Sequence, residues 1–114
     1  RKLSQWRTLA MIFIETPTFT RRVKELIDDD AYTVFQRALM LNPSAGDVIE
    51  GTGGIRKARI AAKGHGKQGG ARVIYYHFVS MSQIILLMIY PKNEQHDLTS
   101  DERKALKAAI EHWR

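Results

Sequence analysis

Lys57 and Arg59 stand two residues apart in Ile55-Arg56-Lys57-Ala58-Arg59-Ile60, a segment whose alternation reads as a β-strand. Strand geometry puts both cations on one face, with Arg56, Ala58 and Ile60 on the other. Arg72 opens the next strand-like segment and Lys92 follows the last one, so both can converge on the same spot. Convergent cations suit phosphate chemistry, because they stabilise the extra negative charge of a pentacoordinate phosphorane. With RNA as substrate the nucleophile is the substrate's own 2′-hydroxyl, so the site requires neither a protein nucleophile nor a metal. Lys57, Arg59, Arg72 and Lys92 are therefore the candidate catalytic residues, and no cofactor is expected.

A proton must still leave the 2′-hydroxyl and another must reach the leaving 5′-oxygen, a contribution of about 10²–10⁴-fold when side chains perform the transfer. Lys57 is the leading base on this reading, since a lysine crowded by other cations gives up its proton more readily. His65, in a basic loop, is a second candidate for titration near neutrality, weighed against an ordinary exposed loop histidine. His77 sits inside a strand and equally reads as a structural residue. Glu94 and Asp97 are carboxylate candidates for which capping and loop roles are the simpler reading. Tyr75, Tyr76 and Tyr90 have faces on which bases stack, although strand tyrosines more often fill a core or an edge.

The charge distribution points the same way. Between Glu50 and Glu94 there are seven basic residues (Arg56, Lys57, Arg59, Lys63, Lys67, Arg72 and Lys92) and no acidic one. The formal net charge of the chain is +6, so this segment supplies all of it and the rest sums to −1. Charge confined in this way neutralises phosphates and releases their counterions, which gives sequence-independent affinity. A solvated basic face is the plainer alternative.

Composition excludes several other classes. At 114 residues, 44% hydrophobic and 26% charged, the chain fits one soluble globular domain with its own core. It has no cysteine, so disulfides, thiolate metal sites and thiolate nucleophiles are ruled out, a pattern compatible with the cytoplasm. Four scattered histidines lack ligand spacing. Gly51-Thr52-Gly53-Gly54 is not a phosphate-cradling fingerprint and no helix follows it. The longest apolar run, Ile84 to Tyr90, is strand-sized, so no membrane span is expected.

These residues need a scaffold. The first ten, Arg1 to Ala10, read as an upstream start, a tag remnant or a peripheral extension, leaving residues 11–114 as one domain. Met11 to Ile14 forms a first strand. Thr16-Pro17 is an N-cap with proline at the first helical position, and Phe19, Val23, Leu26 and Ile27 give the helix its apolar stripe. Asp28 to Asp30 favour the start of a second helix, which buries Ala31, Phe35, Ala38 and Leu39 and stops at Asn42-Pro43. From Val48 the pattern changes to strands, at 55–60, at 71–79 and at 83–90, the last apolar on both faces and so central. Thr99-Ser100-Asp101-Glu102 is a capping box opening a helix with Leu106, Ala109, Ile110 and Trp113 on one stripe. The order β-α-α-β-β-β-α predicts an α+β fold, a small mostly antiparallel sheet against two N-terminal helices and one C-terminal helix.

Several separated motifs carry a resemblance. Leu41-Asn42-Pro43, then Gly46-Asp47-Val48-Ile49-Glu50-Gly51-Thr52-Gly53-Gly54-Ile55-Arg56-Lys57-Ala58-Arg59, resembles the HigB-type branch of the RelE superfamily of bacterial toxins. Gly64 to Tyr76, Tyr90-Pro91-Lys92-Asn93-Glu94 and Asp97-Leu98-Thr99 continue it, so that it covers residues 11–113. The resemblance implies the RelE-like fold and a ribosome-dependent mRNA endonuclease, or mRNA interferase, that inhibits translation in the cytoplasm. It also implies a cognate antitoxin of HigA type. The family's basic strand residues match Lys57 and Arg59, its next-strand arginine matches Arg72, and the cation after its last strand matches Lys92 or its neighbour Asn93. Arg56, Lys63, His65, Lys67 and Asn93 are then the contacts to RNA or ribosome. Some members carry a base-stacking tyrosine in the C-terminal region; here that position falls near Leu98 or Thr99. Members differ in whether lysine, histidine or glutamate is the base. Two other readings share the scaffold: a non-enzymatic toxin that binds gyrase, and a module that holds RNA without cutting it.

Overall fold

The computed structural model describes residues 11–62, 70–95 and 97–113. The expectations for residues 1–10 and for Lys63, His65 and Lys67 lie outside the described residues. The elements run β1 (Ile12–Glu15), α1 (Pro17–Leu26), α2 (Asp29–Leu41), β2 (Asp47–Val48), β3 (Arg56–Ile60), β4 (Ala71–Phe78), a short 3-10 turn (Val79–Met81), β5 (Gln83–Pro91) and α3 (Ser100–Trp113). One five-stranded sheet has the order β1-β5-β4-β3-β2. All of its pairings are antiparallel except β1 with β5, which is parallel. The fold is the expected α+β arrangement, with a two-residue β2 added at one edge. Among the described residues no helix is long and apolar enough to cross a membrane.

Local chemistry explains the helices. Thr16 caps α1, its hydroxyl accepting from the Phe19 N–H at 3.2 Å, and Pro17 sits where its missing N–H is no loss. Asp28 caps α2 by accepting from the Ala31 N–H at 2.8 Å, and Asp29 and Asp30 follow it in the first turn. Ahead of α3, the Thr99 hydroxyl accepts from the Glu102 N–H at 3.1 Å while Glu102 Oε1 accepts from the Thr99 N–H at 2.9 Å, a reciprocal capping box.

The sheet is buried on both faces. One face packs Val73, Tyr75, Ile84, Leu86 and Ile89 against Phe19 and Val23 of α1 and Phe35 and Leu39 of α2. The other packs Ile74, Ile85, Leu87 and Tyr90 against Ile110 and Leu106 of α3, with Leu98 beneath its start. Trp113, expected on the apolar stripe of α3, is 42% exposed and lines a shallow cleft with Ile14, Phe78, Gln83 and Ile85. A bulge at Ile74/Tyr75 leaves Leu87 of β5 without a cross-strand partner. Its carbonyl accepts from the Thr16 hydroxyl at 2.8 Å, tying the cap of α1 to the middle of the sheet.

The β2–β3 hairpin is closed by Gly51-Thr52-Gly53-Gly54. Thr52 is buried, donating to the Ile49 carbonyl at 2.6 Å and accepting from the Ile55 N–H at 3.1 Å. Gly54 has φ of +113°, a conformation that side chains rarely adopt. This turn sets the register of β3 against β2, with Asp47 opposite Lys57 and Val48 opposite Arg56.

Candidate active site

Arg59 of β3 lies directly opposite Arg72 of β4. Cross-strand partners share a face with Cβ atoms about 4.5–5.5 Å apart, and like charges so placed destabilise a sheet. Arg72 is also 9% exposed, with Nη1 donating to the Ala71 carbonyl at 3.3 Å, whereas Arg59 is exposed. The pair lines a cleft of about 220 Å³ with Ile60 and Ala61. Two guanidinium groups converging on a cleft provide planar, multi-donor recognition of phosphate oxygens.

Lys57 lies two residues along β3 on the same face, opposite Ile74. It is not surrounded by cations. Its ammonium meets Asp97 Oδ1 at 3.4 Å, Asp97 Oδ2 is 3.6 Å from Arg103 Nη2, and Asp97 Oδ1 also accepts from the Leu98 N–H at 2.9 Å. The Leu98 N–H, and then Lys57 and Arg103, hold the Asp97 carboxyl below its usual range against a partial opposing effect of burial. Asp47, Glu50, Lys57, Asp97 and Arg103 line a polar cleft of about 290 Å³.

Tyr90 is the cross-strand partner of Arg72 on the β5 side. It is 1% exposed, and its hydroxyl and Arg103 Nε are buried polar atoms without partners among the described residues. Burial pushes the Tyr90 phenol up, with Asp97 adding to the effect. Tyr75 is likewise buried, its hydroxyl accepting from the Gly46 N–H at 2.9 Å and donating to the Pro43 carbonyl at 2.8 Å. Both rings are core pillars with no face open for stacking on a base.

Lys92 and Asn93 occupy the exposed turn after β5. The turn is held by the Lys92 N–H donating to the Gly70 carbonyl at 3.0 Å and the Glu94 N–H to the Pro91 carbonyl at 3.1 Å. Arg22 of α1 grips Glu94 through two bonds of 2.9 and 3.2 Å. That bond holds the Glu94 carboxyl below its usual range.

Arg56 lies on the opposite face of β3, opposite Tyr75. Its Nη1 donates to the Gly46 carbonyl at 2.7 Å and the Ser44 carbonyl at 3.1 Å, fastening the loop between α2 and β2. His77 shares that face, and burial, then Arg56, pushes its imidazolium toward losing its proton. The structure thus brings Lys57, Arg59 and Arg72 together, sets Lys92 and Asn93 on an adjoining turn, and separates Arg56 and His77 from them. Sequence reasoning does not single out Arg103, and it offers Asp97 as a candidate carboxylate base for which a capping or loop role is the simpler reading. The sole hint was that both flank the capping box; nothing local shows that this junction reaches a residue forty positions earlier.

The family model for the RelE toxin of the RelE / RelB toxin-antitoxin system matches residues 11–114. Among solved structures the chain is similar to one described as the archaeal RelE-RelB complex from Pyrococcus horikoshii OT3. The identity is 22% and the TM-score 0.51, over 75% of this chain and 98% of that chain. At that identity the likeness concerns the fold.

Proposed function

This chain belongs to the RelE toxin family, and from that premise we propose that it is a ribosome-dependent mRNA endonuclease whose cuts stop translation. The observation that carries this reading is the cross-strand pair Arg59–Arg72, a like-charge placement that costs the sheet stability and makes sense when an anion lies between the two. In the proposed step the 2′-hydroxyl gives up its proton to water as its oxygen attacks the adjacent phosphorus, the bond from phosphorus to the 5′-oxygen breaks, and that oxygen takes a proton from water, leaving a 2′,3′-cyclic phosphate and a 5′-hydroxyl. Arg59 and Arg72 meet the charge that grows on the phosphorane, with Lys57 and Lys92 on its flanks. Asn93 extends the contacts to the RNA backbone. The motifs at 41–59 and 90–99 support the HigB-type branch.

The proposed partner is an antitoxin, HigA-type on the same motifs; the similar archaeal structure is itself a complex of RelE with RelB. A groove of about 380 Å³ between α2 and β3, lined by Ala31, Val34, Phe35, Ala38, Ile60 and Arg59, suits an antitoxin segment. Arg59 lines both this groove and the arginine cleft, so an occupant of one covers the other.

Cleavage of a defined mRNA by the purified protein, with and without programmed ribosomes, tests the reading. Cuts confined to the ribosomal arm are expected. Cuts in a ribosome-free arm containing EDTA would mean an autonomous ribonuclease. A folded, antitoxin-free protein that cuts in neither arm would move the reading to an interaction toxin, to be examined by gyrase supercoiling.

A further inference from the structure

Charged groups face Lys57 from every side of its cleft. Asp47 of β2 is its cross-strand neighbour, Glu50 and Arg103 line the same cleft, Arg59 follows on its own strand, and Asp97 touches the ammonium. Among the described residues Asp97 is the partner of the Arg103 guanidinium, whose buried Nε has none. Burying an unpaired donor is costly, so Arg103 is held where it backs Asp97 at the expense of its own hydrogen bonding. Asp97 is in turn fixed from a third side by the Leu98 N–H.

We infer that Asp97 is a positioning residue for Lys57: backed by Arg103, it holds the ammonium in place beside Arg59 and Arg72, so that Lys57 serves cleavage as a cation and not as the base. The inference rests on the cleavage reading above and reverses the role that crowding by cations predicts for Lys57. It joins the C-terminal helix to the chemistry, because Asp97 and Arg103 flank the capping box of α3 while Lys57 lies on β3.

The test is the kinetics of ribosomal mRNA cleavage at neutral pH for the wild type, Asp97→Asn, Asp97→Glu, Arg103→Gln and Lys57→Arg. Asp97→Asn keeps the size of the side chain and removes the charge that grips the ammonium, so kcat should fall about 10- to 100-fold with KM within about 3-fold, the signature of a displaced group. Asp97→Glu should restore most of the rate. Arg103→Gln should lower kcat by less, and it carries the test if the melting curve shows that Asp97→Asn does not fold. Lys57→Arg keeps a cation that cannot serve as a base and should keep kcat within about 10-fold. Unchanged kcat in folded Asp97→Asn and Arg103→Gln overturns the inference. So does a folded Lys57→Arg protein that cuts nothing, which marks a lysine base. Should the wild type cut nothing on ribosomes, the cleavage reading falls instead, and a double-mutant cycle of Lys57→Met and Asp97→Asn in unfolding free energy then decides the contact, where additive losses refute it.

Discussion

The two faces of the β3–β4 pair carry the same kinds of residue to opposite ends. On the face toward α1 and α2, Arg56 and Tyr75 lie side by side with their polar groups satisfied by the carbonyls and N–H of the 43–46 loop. On the face toward α3, Arg59 confronts Arg72, Lys57 leans on a borrowed carboxylate, and the Tyr90 hydroxyl has no partner among the described residues. A satisfied buried polar group is a structural tie, while convergent like charges beside an orphaned hydroxyl are costs that binding an anion can offset. An arginine in a basic strand is therefore assigned by its face, not by its charge.

The largest expected break in that contrast is Arg72→Ala, which should lower ribosomal cleavage by about 10³-fold with a melting curve close to wild type. A variant that cleaves normally would remove Arg72 from the chemistry. On the other face, Tyr75→Phe deletes both hydrogen bonds and leaves Gly46 N–H and Pro43 carbonyl unpaired. It should cost about 1–3 kcal/mol in denaturant unfolding while kcat at permissive temperature stays within about 2-fold. Large loss of kcat in a stable Tyr75→Phe protein would mean that the faces are not separate. Arg22→Ala frees the turn that carries Lys92 and Asn93, and a cleavage loss of about 3- to 10-fold is expected, measured as kcat/KM.

The smallest effect is on acid stability. Asp97 titrates lower in the folded chain than in the unfolded one, so its contribution is full above the unfolded value of about 3.9 and disappears as pH falls through the native one. Wild type should exceed Asp97→Asn by about 0.2–1 kcal/mol in thermal unfolding at pH 7, the range for exposed pairs, with the gap closing below about pH 4. A gap that persists in acid would mean that Asp97 acts through shape alone.

Elements whose signals are local were legible in the sequence. Thr16-Pro17, Asp28, Asn42-Pro43 and the Thr99–Glu102 box mark helix ends through bonds spanning three residues, and the structure has each. The apolar run at 84–90 marked β5 as central, which its neighbours β1 and β4 bear out. The convergence of Arg59 with Arg72 was legible because one hairpin fixes it. Less legible was whatever depends on distant pairing: the parallel β1–β5 contact, the role of Tyr90 as pillar, and above all the environment of Lys57. A segment free of acids from 51 to 93 suggests a lysine among cations, yet the fold supplies Asp97 from outside that segment.

The Thr16 hydroxyl bond to Leu87 spans 71 residues, and β1 pairs with β5. A growing chain therefore makes β1, α1 and α2 long before anything exists for them to close upon, and loop closure of that length is a late and slow event in folding. Lys57 must wait longer still, until Asp97 has been made. A toxin built in this order carries its own delay: Lys57 and Asp97 cannot meet until the C-terminal part of the chain has been made.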